Sequence, residues 1–313
     1  MRRYRNLLLF VGLAAIWGSA FMAINAGLDF FPPILFAALR YDVAGVVMLG
    51  YAAWILDDPV PRGRGEWALV AVSSLLLIAG YHSFLFVGQT DPAVTSAAAA
   101  VIVSLSPVLT TVFARALLPG ERLTAAGGLG LVLGLAGVVV LADPDPAALL
   151  AGEAVAKLLV FTAAAAFALG SVLTRRIDAR LPIESLEAWS MLGGALAMHA
   201  VSLGLGESIA DVRWTGEALL ALGYLSLAAS ALGFLLYFDL LDRLGPIEIN
   251  LVSYVAPLFA ALAGWTFLAE VPTPATGIGF VLIFLGFVLV KREAIRQEVP
   301  RLRAALRDVR TRD

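Results

Sequence analysis

The chain has 313 residues, of which 60% are hydrophobic and 15% are charged, and its net charge is −2. Soluble domains average about 45–50% apolar and about 25% charged residues, so these charges are too few to cover the surface of a soluble fold of this size. Cysteine is absent, which excludes disulfides, a thiol nucleophile and cysteine metal ligands. The small net charge and the lack of a basic, aromatic-rich surface give no support for binding nucleic acid.

Ten apolar blocks follow one another along the chain, each near the roughly 20 residues that a helix needs to cross about 30 Å of hydrocarbon. Proline, glycine and aspartate mark the turns between them. The first block follows Arg2, Arg3 and Arg5, but it lacks a small-residue cleavage site, so we interpret it as a retained helix rather than a signal peptide. We predict an all-α integral membrane protein with ten transmembrane helices at 7–28, 33–56, 67–89, 93–117, 124–142, 154–174, 186–205, 217–241, 247–269 and 275–291.

The placement of basic residues predicts the orientation of these helices. With the N-terminus in the cytoplasm, 19 of the 22 Lys and Arg residues fall in cytoplasmic segments; the other three are Lys157 and Arg213 on the outer side and Arg40 within a span. Cytoplasmic loops of membrane proteins carry such an excess of Lys and Arg. Both termini are therefore predicted to be cytoplasmic, and residues 292–313 form a basic cytoplasmic tail.

The two halves of the chain repeat one another. Four pairs of residues share an offset of 149 positions: Glu121 with Glu270, Thr124 with Thr273, Gly128 with Gly277, and Gly137 with Gly286. The predicted repeats span residues 7–142 and 154–291, with five helices each. Because five is odd, the second half enters the membrane from the opposite side. Inverted repeats of this kind are typical of secondary transporters with a binding site near the midplane. Duplication in a purely structural membrane protein is the alternative.

Some of these residues form a recognisable set. It comprises Trp17-Gly18-Ser19-Ala20-Phe21 in the first helix, Arg40 early in the second and, in each half, a proline followed by a glutamate and a glycine-spaced span. Over residues 7–291 this set resembles the drug/metabolite transporter superfamily, specifically its EamA-type ten-helix members. The resemblance implies an inner-membrane carrier without an ATP-binding domain, commonly an exporter of amino acids or other small metabolites. It also implies that helices one to four and six to nine surround a cavity. Many relatives carry a lysine late in the first helix, where this chain has Asn25.

Arg40 is the main candidate for a substrate contact. It lies about seven residues, roughly 10 Å, into the second helix. A charge at that depth costs a few kcal/mol at least unless it faces a cavity or a partner. We predict that Arg40 faces the cavity and pairs with a carboxylate of the substrate or of another helix. The alternative is that it snorkels outward or locks two helices together.

Further polar and aromatic residues recur at helical spacing, which places them on common helix faces. Stripes of this kind either line a cavity or join helices by hydrogen bonds. The predicted cavity residues, besides Arg40, are Trp17, Phe21, Asn25, His82, Gln89, Trp189, Ser230, Tyr237, Asn250 and Tyr254.

Two prolines and two ionisable residues have other predicted roles. Pro107 and Pro257 lie within spans, where proline frees a backbone carbonyl and bends the helix, so we predict hinges; packing kinks are the alternative. Asp42 and His199 are candidates for proton coupling, since ionisable groups within the membrane are functional by default. The alternative for each is a protonated or hydrogen-bonded helix contact.

Taken together, the sequence predicts a secondary transporter that exports amino acids or similar small metabolites or drugs by proton antiport or exchange. A facilitative importer and a channel or scaffold are the alternatives. No nucleotide-binding, metal-binding or nucleophile motif is present, so neither catalysis nor a cofactor is expected. The expected partners are a small-molecule substrate and the lipid of the inner (plasma) membrane. Glycines in the fifth and tenth helices leave a homodimer contact open.

Overall fold

A computed structural model describes residues 2–118, 125–142, 152–244, 249, 251–290 and 292. Glu121, Asn250 and the tail beyond Arg292 therefore lie outside the described residues. Ten long helices follow the order of the ten apolar blocks. They are α1 Arg2–Leu28, α2 Pro33–Ile55, α3 Arg64–Gly88, α4 Ser96–Leu117, α5 Ala125–Ala142, α6 Gly152–Thr174, α7 Ile183–Gly204, α8 (Gly216–Gly223, Tyr224–Leu232 and Gly233–Leu244), α9 Val252–Leu268 and α10 Pro274–Val290.

The helices have the composition and surface of a membrane-embedded bundle. Six of them, α1 to α4, α6 and α8, contain apolar stretches long enough to cross a membrane, and α5, α9 and α10 contain shorter apolar stretches. Large apolar side chains lie exposed along the helices, at positions where a soluble protein would place polar groups. Leu158, Leu196, Leu220 and Leu258 are examples, each at least 60% exposed. These faces suit contact with lipid, and the prediction of an all-helical, multi-pass membrane protein is confirmed.

The helices pack in definite pairs. The two most extensive contacts join α2 to α7 and α5 to α10, and α1 packs against α9, while α6 packs against α3 and α4. The α5–α10 contact is a backbone-to-backbone approach, since a Cβ atom added at Gly286 would lie 2.5 Å from the carbonyl oxygen of Gly130. One added at Gly137 would lie 2.7 Å from the carbonyl oxygen of Gly279. These glycines of the fifth and tenth helices, for which a homodimer contact was one possibility, therefore lie in a contact between two helices of the same chain.

Several helices are interrupted near the middle of the bundle. Residues Ser73–Gly80 of α3 and Tyr224–Leu232 of α8 are π-helical. Segments of this type free backbone carbonyls from the regular ladder and often occur at functional sites. In α4 the helix restarts at Ser106, with Pro107 in the first turn of the new segment, where its missing N–H costs no hydrogen bond. Pro257 instead lies inside α9. The two predicted hinges therefore differ: one follows a break and the other sits within a continuous helix.

Candidate functional site

A cavity of about 160 Å³ lies in the middle of the bundle. The described residues that line it come from α1, α2, α3, α4, α6, α8 and α9. None of the described lining residues belongs to α5, α10 or α7, although the family resemblance implies that the seventh helix also surrounds the cavity. Its walls are mostly apolar and aromatic, which is typical of small-molecule sites. The predicted cavity residues Trp17, Phe21, Arg40 and His82 all line it, together with Tyr41, Tyr81, Ser106, Phe167, Phe234 and Ser253, among others.

Arg40 is the charged residue among the described lining residues, and it is 5% exposed. Its Nε donates a hydrogen bond to Oγ of Ser230 at 2.9 Å. Its guanidinium carbon lies 5.1 Å from the centre of the Tyr41 ring. Among the described residues no carboxylate forms an ion pair with Arg40. Ser230, a predicted cavity residue, therefore acts by holding this guanidinium.

Tyr41 and His82 form a second buried pair beside Arg40. The Tyr41 hydroxyl lies 2.8 Å from His82 Nε2, and His82 Nδ1 lies 2.9 Å from the carbonyl oxygen of Ile78. Because a carbonyl oxygen can only accept, Nδ1 carries a proton and a neutral ring accepts the Tyr41 hydroxyl at Nε2. Ile78 belongs to the π-helical segment of α3, so a carbonyl near the bulge orients the histidine.

Trp17 holds α1 against the π-helical segment of α8. Its indole Nε1 donates to the carbonyl oxygen of Ala229 at 3.1 Å. Tyr237, a predicted cavity residue, stacks on Trp17 with ring centres 5.4 Å apart, and it is not itself among the described lining residues. A Cβ atom at Gly233 would lie 2.6 Å from Trp17 Nε1, so only glycine leaves room for this contact. The indole is thereby fixed as one wall of the cavity.

A polar layer adjoins the cavity on one side. Asn25 follows the lining residue Phe21 by one turn of α1, and Gln89 follows the lining residue Leu85 at the end of α3. Gln89 Nε2 donates to Oδ1 of Asn25 at 2.5 Å and to the carbonyl oxygen of Phe21 at 3.0 Å. These two predicted cavity residues thus bind each other across helices rather than facing the cavity.

Glu270 completes this layer from the hairpin between α9 and α10. Its Oε1 accepts from Asn25 Nδ2 at 2.8 Å and from the Ser96 hydroxyl at 3.1 Å. Its Oε2 accepts from the Ser96 backbone N–H at 2.9 Å, at the N-terminus of α4, where unpaired N–H groups and the helix dipole favour a negative charge. We define the polar layer as Asn25, Gln89, Ser96 and Glu270. It joins the ends of α1, α3 and α4 to the α9–α10 hairpin.

Asp42 and His199, the two predicted coupling residues, lie together at the α2–α7 contact. His199 Nε2 is 2.7 Å from Oδ2 of Asp42. The His199 side chain is 33% exposed and the Asp42 side chain 42%. Neither residue belongs to the lining of the cavity. Asp42 therefore has a partner, which helical spacing alone did not reveal because that partner lies 157 residues away.

Two predicted cavity residues lie elsewhere in the structure. The indole of Trp189 donates to the carbonyl oxygen of Pro59 at 2.9 Å, at the loop between α2 and α3. Tyr254 packs on Phe284 and Phe287 of α10. On α9 the residues that line the cavity are instead Ser253 and Ala256. The predicted helix face, which carries Tyr254, is therefore displaced from the cavity by about one residue.

Sequence reasoning gave too little weight to three residues. Glu270 enters the sequence-based predictions only as the repeat partner of Glu121, although its carboxylate binds α4 of the other half. Tyr41 received no role, although it connects Arg40 to His82. Glu187 lies within the predicted seventh span, and an intramembrane carboxylate is by itself a signal of function. Among the described residues, no group of three or more His, Asp or Glu could hold a metal ion.

Comparison with known proteins agrees with this architecture. The chain is 29% identical over 298 residues to the uncharacterized inner membrane transporter YedA of Escherichia coli K12, covering 92% of each chain. It is 28% identical over 297 residues to the uncharacterized transporter YvbV of Bacillus subtilis 168, covering 94% of each. A chain of known crystal structure matches with a TM-score of 0.64 at 26% identity, covering 94% of this chain and 99% of the other.

A family model matches twice, over residues 5–142 and 155–292, which are close to the two repeats predicted from the constant offset. Its description is the EamA-like transporter family. Since the two matches cover most of the sequence, the chain belongs to the EamA-like transporter family, and it is a membrane transporter related to YedA and YvbV.

Proposed function

We propose that the chain is a secondary transporter that exports small metabolites, such as amino acids or similar compounds, across the inner membrane by alternating access. The observation that carries this proposal is the central cavity, which is lined by helices of both halves and contains the buried cation Arg40. A buried charge of this kind is expensive in a membrane and marks a substrate or ion pathway by default.

The packing of the helices supports an inverted repeat. If the halves are related by a two-fold axis in the membrane plane, α2 corresponds to α7 and α5 to α10, and each of these pairs packs against its own counterpart. The contact of α1 with α9 likewise corresponds to that of α6 with α4. The π-helical segments also fall at corresponding places, in the third helix of each half. Such symmetry allows one half to rock against the other around a fixed site.

The polar layer supports a barrier at one end of the cavity. It lies one helical turn beyond Phe21 and Leu85, and its hydrogen bonds connect α1 and the α3–α4 hairpin to the α9–α10 hairpin. The orientation that we predict from the basic residues would make this the outer end of the cavity. A cavity closed at its outer end and loaded from the cytoplasm is one state in an export cycle, whereas a channel would need a continuous path.

We further propose that the Asp42–His199 pair couples transport to protons. The hydrogen bond between the Asp42 carboxyl group and the His199 imidazole gives a proton a direct path between the two side chains. The pair joins α2 to α7, and α2 also carries Arg40 and Tyr41 into the cavity. A change of charge at the pair would therefore act on the helix that carries the proposed substrate contact.

Metabolite profiling of the medium from deletion and overexpression strains tests the proposed function. We expect at least one small metabolite to accumulate outside overexpressing cells, and this export to stop when an uncoupler dissipates the gradient. Arg40→Ala should abolish export while membrane levels and thermal stability stay normal; equal loss of folded protein would make Arg40 structural. A conductance that persists without coupling to any gradient would contradict a carrier and favour a channel.

A further inference from the structure

The charge balance of the cavity narrows the class of substrate, provided that the proposed transport function holds. Arg40 is 5% exposed and uses Nε to bind Ser230, which leaves the outer nitrogens of the guanidinium for another acceptor. The described residues offer it no ion pair. An uncompensated buried cation is strongly destabilising, so the site as it stands favours an anion.

The remaining polar groups of the described lining are neutral, and several are already engaged. Both ring nitrogens of His82 have partners, the Tyr41 hydroxyl and the carbonyl oxygen of Ile78. The Ser106 hydroxyl donates to the carbonyl oxygen of Val103. No carboxylate occurs among the described lining residues. An ammonium group in this cavity would therefore lose its hydration and meet Arg40 without a compensating negative charge from these residues.

The size and walls of the cavity limit the body of the ligand. At about 160 Å³, it is close to the cavity of about 150 Å³ that holds one benzene ring in an engineered protein. Aromatic rings of Trp17, Phe21, Tyr81, Phe167 and Phe234 form much of the wall. Such a surface accommodates a compact apolar or aromatic group in contact with the rings.

We propose that the cavity binds small organic monocarboxylates with a compact apolar or aromatic body, and that it discriminates against the same molecules when they carry an ammonium group. The carboxylate pairs with the free edge of the Arg40 guanidinium, a geometry that arginine suits because it can donate two parallel hydrogen bonds. Among the metabolites allowed by the proposed function, this favours deaminated carboxylic acids over the corresponding amino acids.

Four probes that share one phenyl-carbon skeleton test this proposal on the purified full chain in lipid nanodiscs. They are phenylacetate, phenylglycine, benzylamine and phenylacetamide, and the readout is the ligand-induced rise in the thermal unfolding midpoint. We expect phenylacetate to bind, and phenylglycine and benzylamine to bind roughly tenfold or more weakly, since each buries an unpaired ammonium. Phenylacetamide should bind weakly as well, because it lacks the charge that pairs with Arg40.

Variants of two arginines control for non-specific anion binding. Arg40→Gln should abolish the response to phenylacetate. Arg40→Lys keeps the positive charge but cannot donate two parallel hydrogen bonds, so it should weaken the response. Arg62→Gln, at a residue whose side chain is 76% exposed in a loop, should leave the response unchanged. Arg40→Lys keeps the experiment decisive if Arg40→Gln fails to fold.

The outcomes separate this proposal from the proposed function. Binding of phenylglycine as tight as that of phenylacetate, binding that survives in Arg40→Lys and Arg40→Gln, or no response to phenylacetate would each overturn the monocarboxylate proposal. Counterflow of radiolabelled phenylacetate in proteoliposomes then tests transport. Binding without counterflow would contradict the transporter and leave the ligand class standing, whereas counterflow of phenylglycine but not phenylacetate would do the reverse.

Discussion

The amide Nδ2 of Asn25 lies 2.8 Å from Oε1 of Glu270. This hydrogen bond joins α1 of the first half to the α9–α10 hairpin of the second, and Glu270 also accepts the N-terminal N–H of α4. In an alternating-access carrier a barrier consists of contacts between parts that move relative to each other. Through these bonds the Glu270 side chain holds three separate parts of the bundle together.

Glu270→Gln should open this end of the cavity. The amide would present an N–H group to at least one of the donors that the carboxylate now accepts from, and a hydrogen bond to a charged group contributes about 1.5–3 kcal/mol. The chain contains no cysteine, so Ala20→Cys in the cavity wall provides one labelling site free of background. We expect an impermeant thiol reagent applied from outside to label Ala20→Cys roughly tenfold faster in the Glu270→Gln background.

Glu217→Gln is the matched control for this labelling experiment. Glu217 is an exposed glutamate in the first turn of α8, at the same end of the bundle. Its replacement should leave the labelling rate unchanged. Equal labelling rates in the parent and in Glu270→Gln would show that the polar layer is not the barrier.

Ser230→Ala should weaken substrate binding without unfolding the protein. The Arg40 Nε would lose its acceptor, and the guanidinium would no longer be held in one orientation. We expect the transport KM for the metabolite identified by profiling to rise about tenfold, with kcat less affected, because a hydrogen bond to a charged group is lost. Ser226→Ala on the same helix removes only a bond to its own helix backbone and should change KM little. A similar KM change in both variants would argue against a positioning role.

Gly233→Ala should disrupt the wall that Trp17 forms. The added methyl would lie 2.6 Å from Trp17 Nε1, so the indole must move and lose its bond to Ala229. Overpacking of this kind costs about 1–3 kcal/mol, which we expect to lower the unfolding midpoint by roughly 2–10 °C. Gly50→Ala is the control, because nothing lies within 4 Å of its added methyl and alanine favours a helix. Equal midpoints for the two variants would contradict the tight contact.

The sequence was sufficient to predict the helices but not the neighbours of each face. Hydrophobic length and turn residues identified the ten helices, because these depend on local composition. The spacing of Asn25 predicts that it shares a helix face with Trp17 and Phe21, which line the cavity, whereas Asn25 belongs to the polar layer. Its partner Glu270, however, lies 245 residues away, and only the packed bundle brings the two together. Spacing defines a helix face but not which helix lies opposite.

The π-helical segments explain other differences between prediction and structure. A π-helical turn rotates the residues that follow it relative to a regular α-helix. Ser230 and Tyr237 in α8 therefore hold Arg40 and Trp17, while Ala229 and Phe234 line the cavity. No residue pattern of the sequence identified the bulges in α3 and α8. The bulge in α8 falls where Trp17 of α1 donates to the carbonyl oxygen of Ala229, which is a tertiary contact. In α3 the His82 ring binds the carbonyl oxygen of Ile78, four residues earlier in the same helix.

Asp42→Asn and His199→Gln should each uncouple transport from the proton gradient. Each variant removes one of the two groups that exchange the proton in the proposed coupling, but keeps a side chain of similar size. Counterflow of the exported metabolite, which needs no net proton movement, should therefore persist. Because the two groups lie 2.7 Å apart and act as one unit, the double variant should be no worse than either single variant. Gradient-driven and counterflow rates in proteoliposomes give the two readouts.

Two further variants make this prediction decisive. Asp29→Asn, at an exposed residue beyond the end of α1, should leave both rates unchanged. Glu187→Gln tests a carboxylate of α7, for which the described contacts include no ion pair. If Asp42→Asn keeps gradient-driven transport and Glu187→Gln loses it, the coupling group is Glu187, and the Asp42–His199 pair serves to hold α2 against α7. If Asp42→Asn loses gradient-driven transport but keeps counterflow, and Glu187→Gln keeps both, the coupling group is the Asp42–His199 pair. A purely structural contact would reduce counterflow to the same extent as gradient-driven transport.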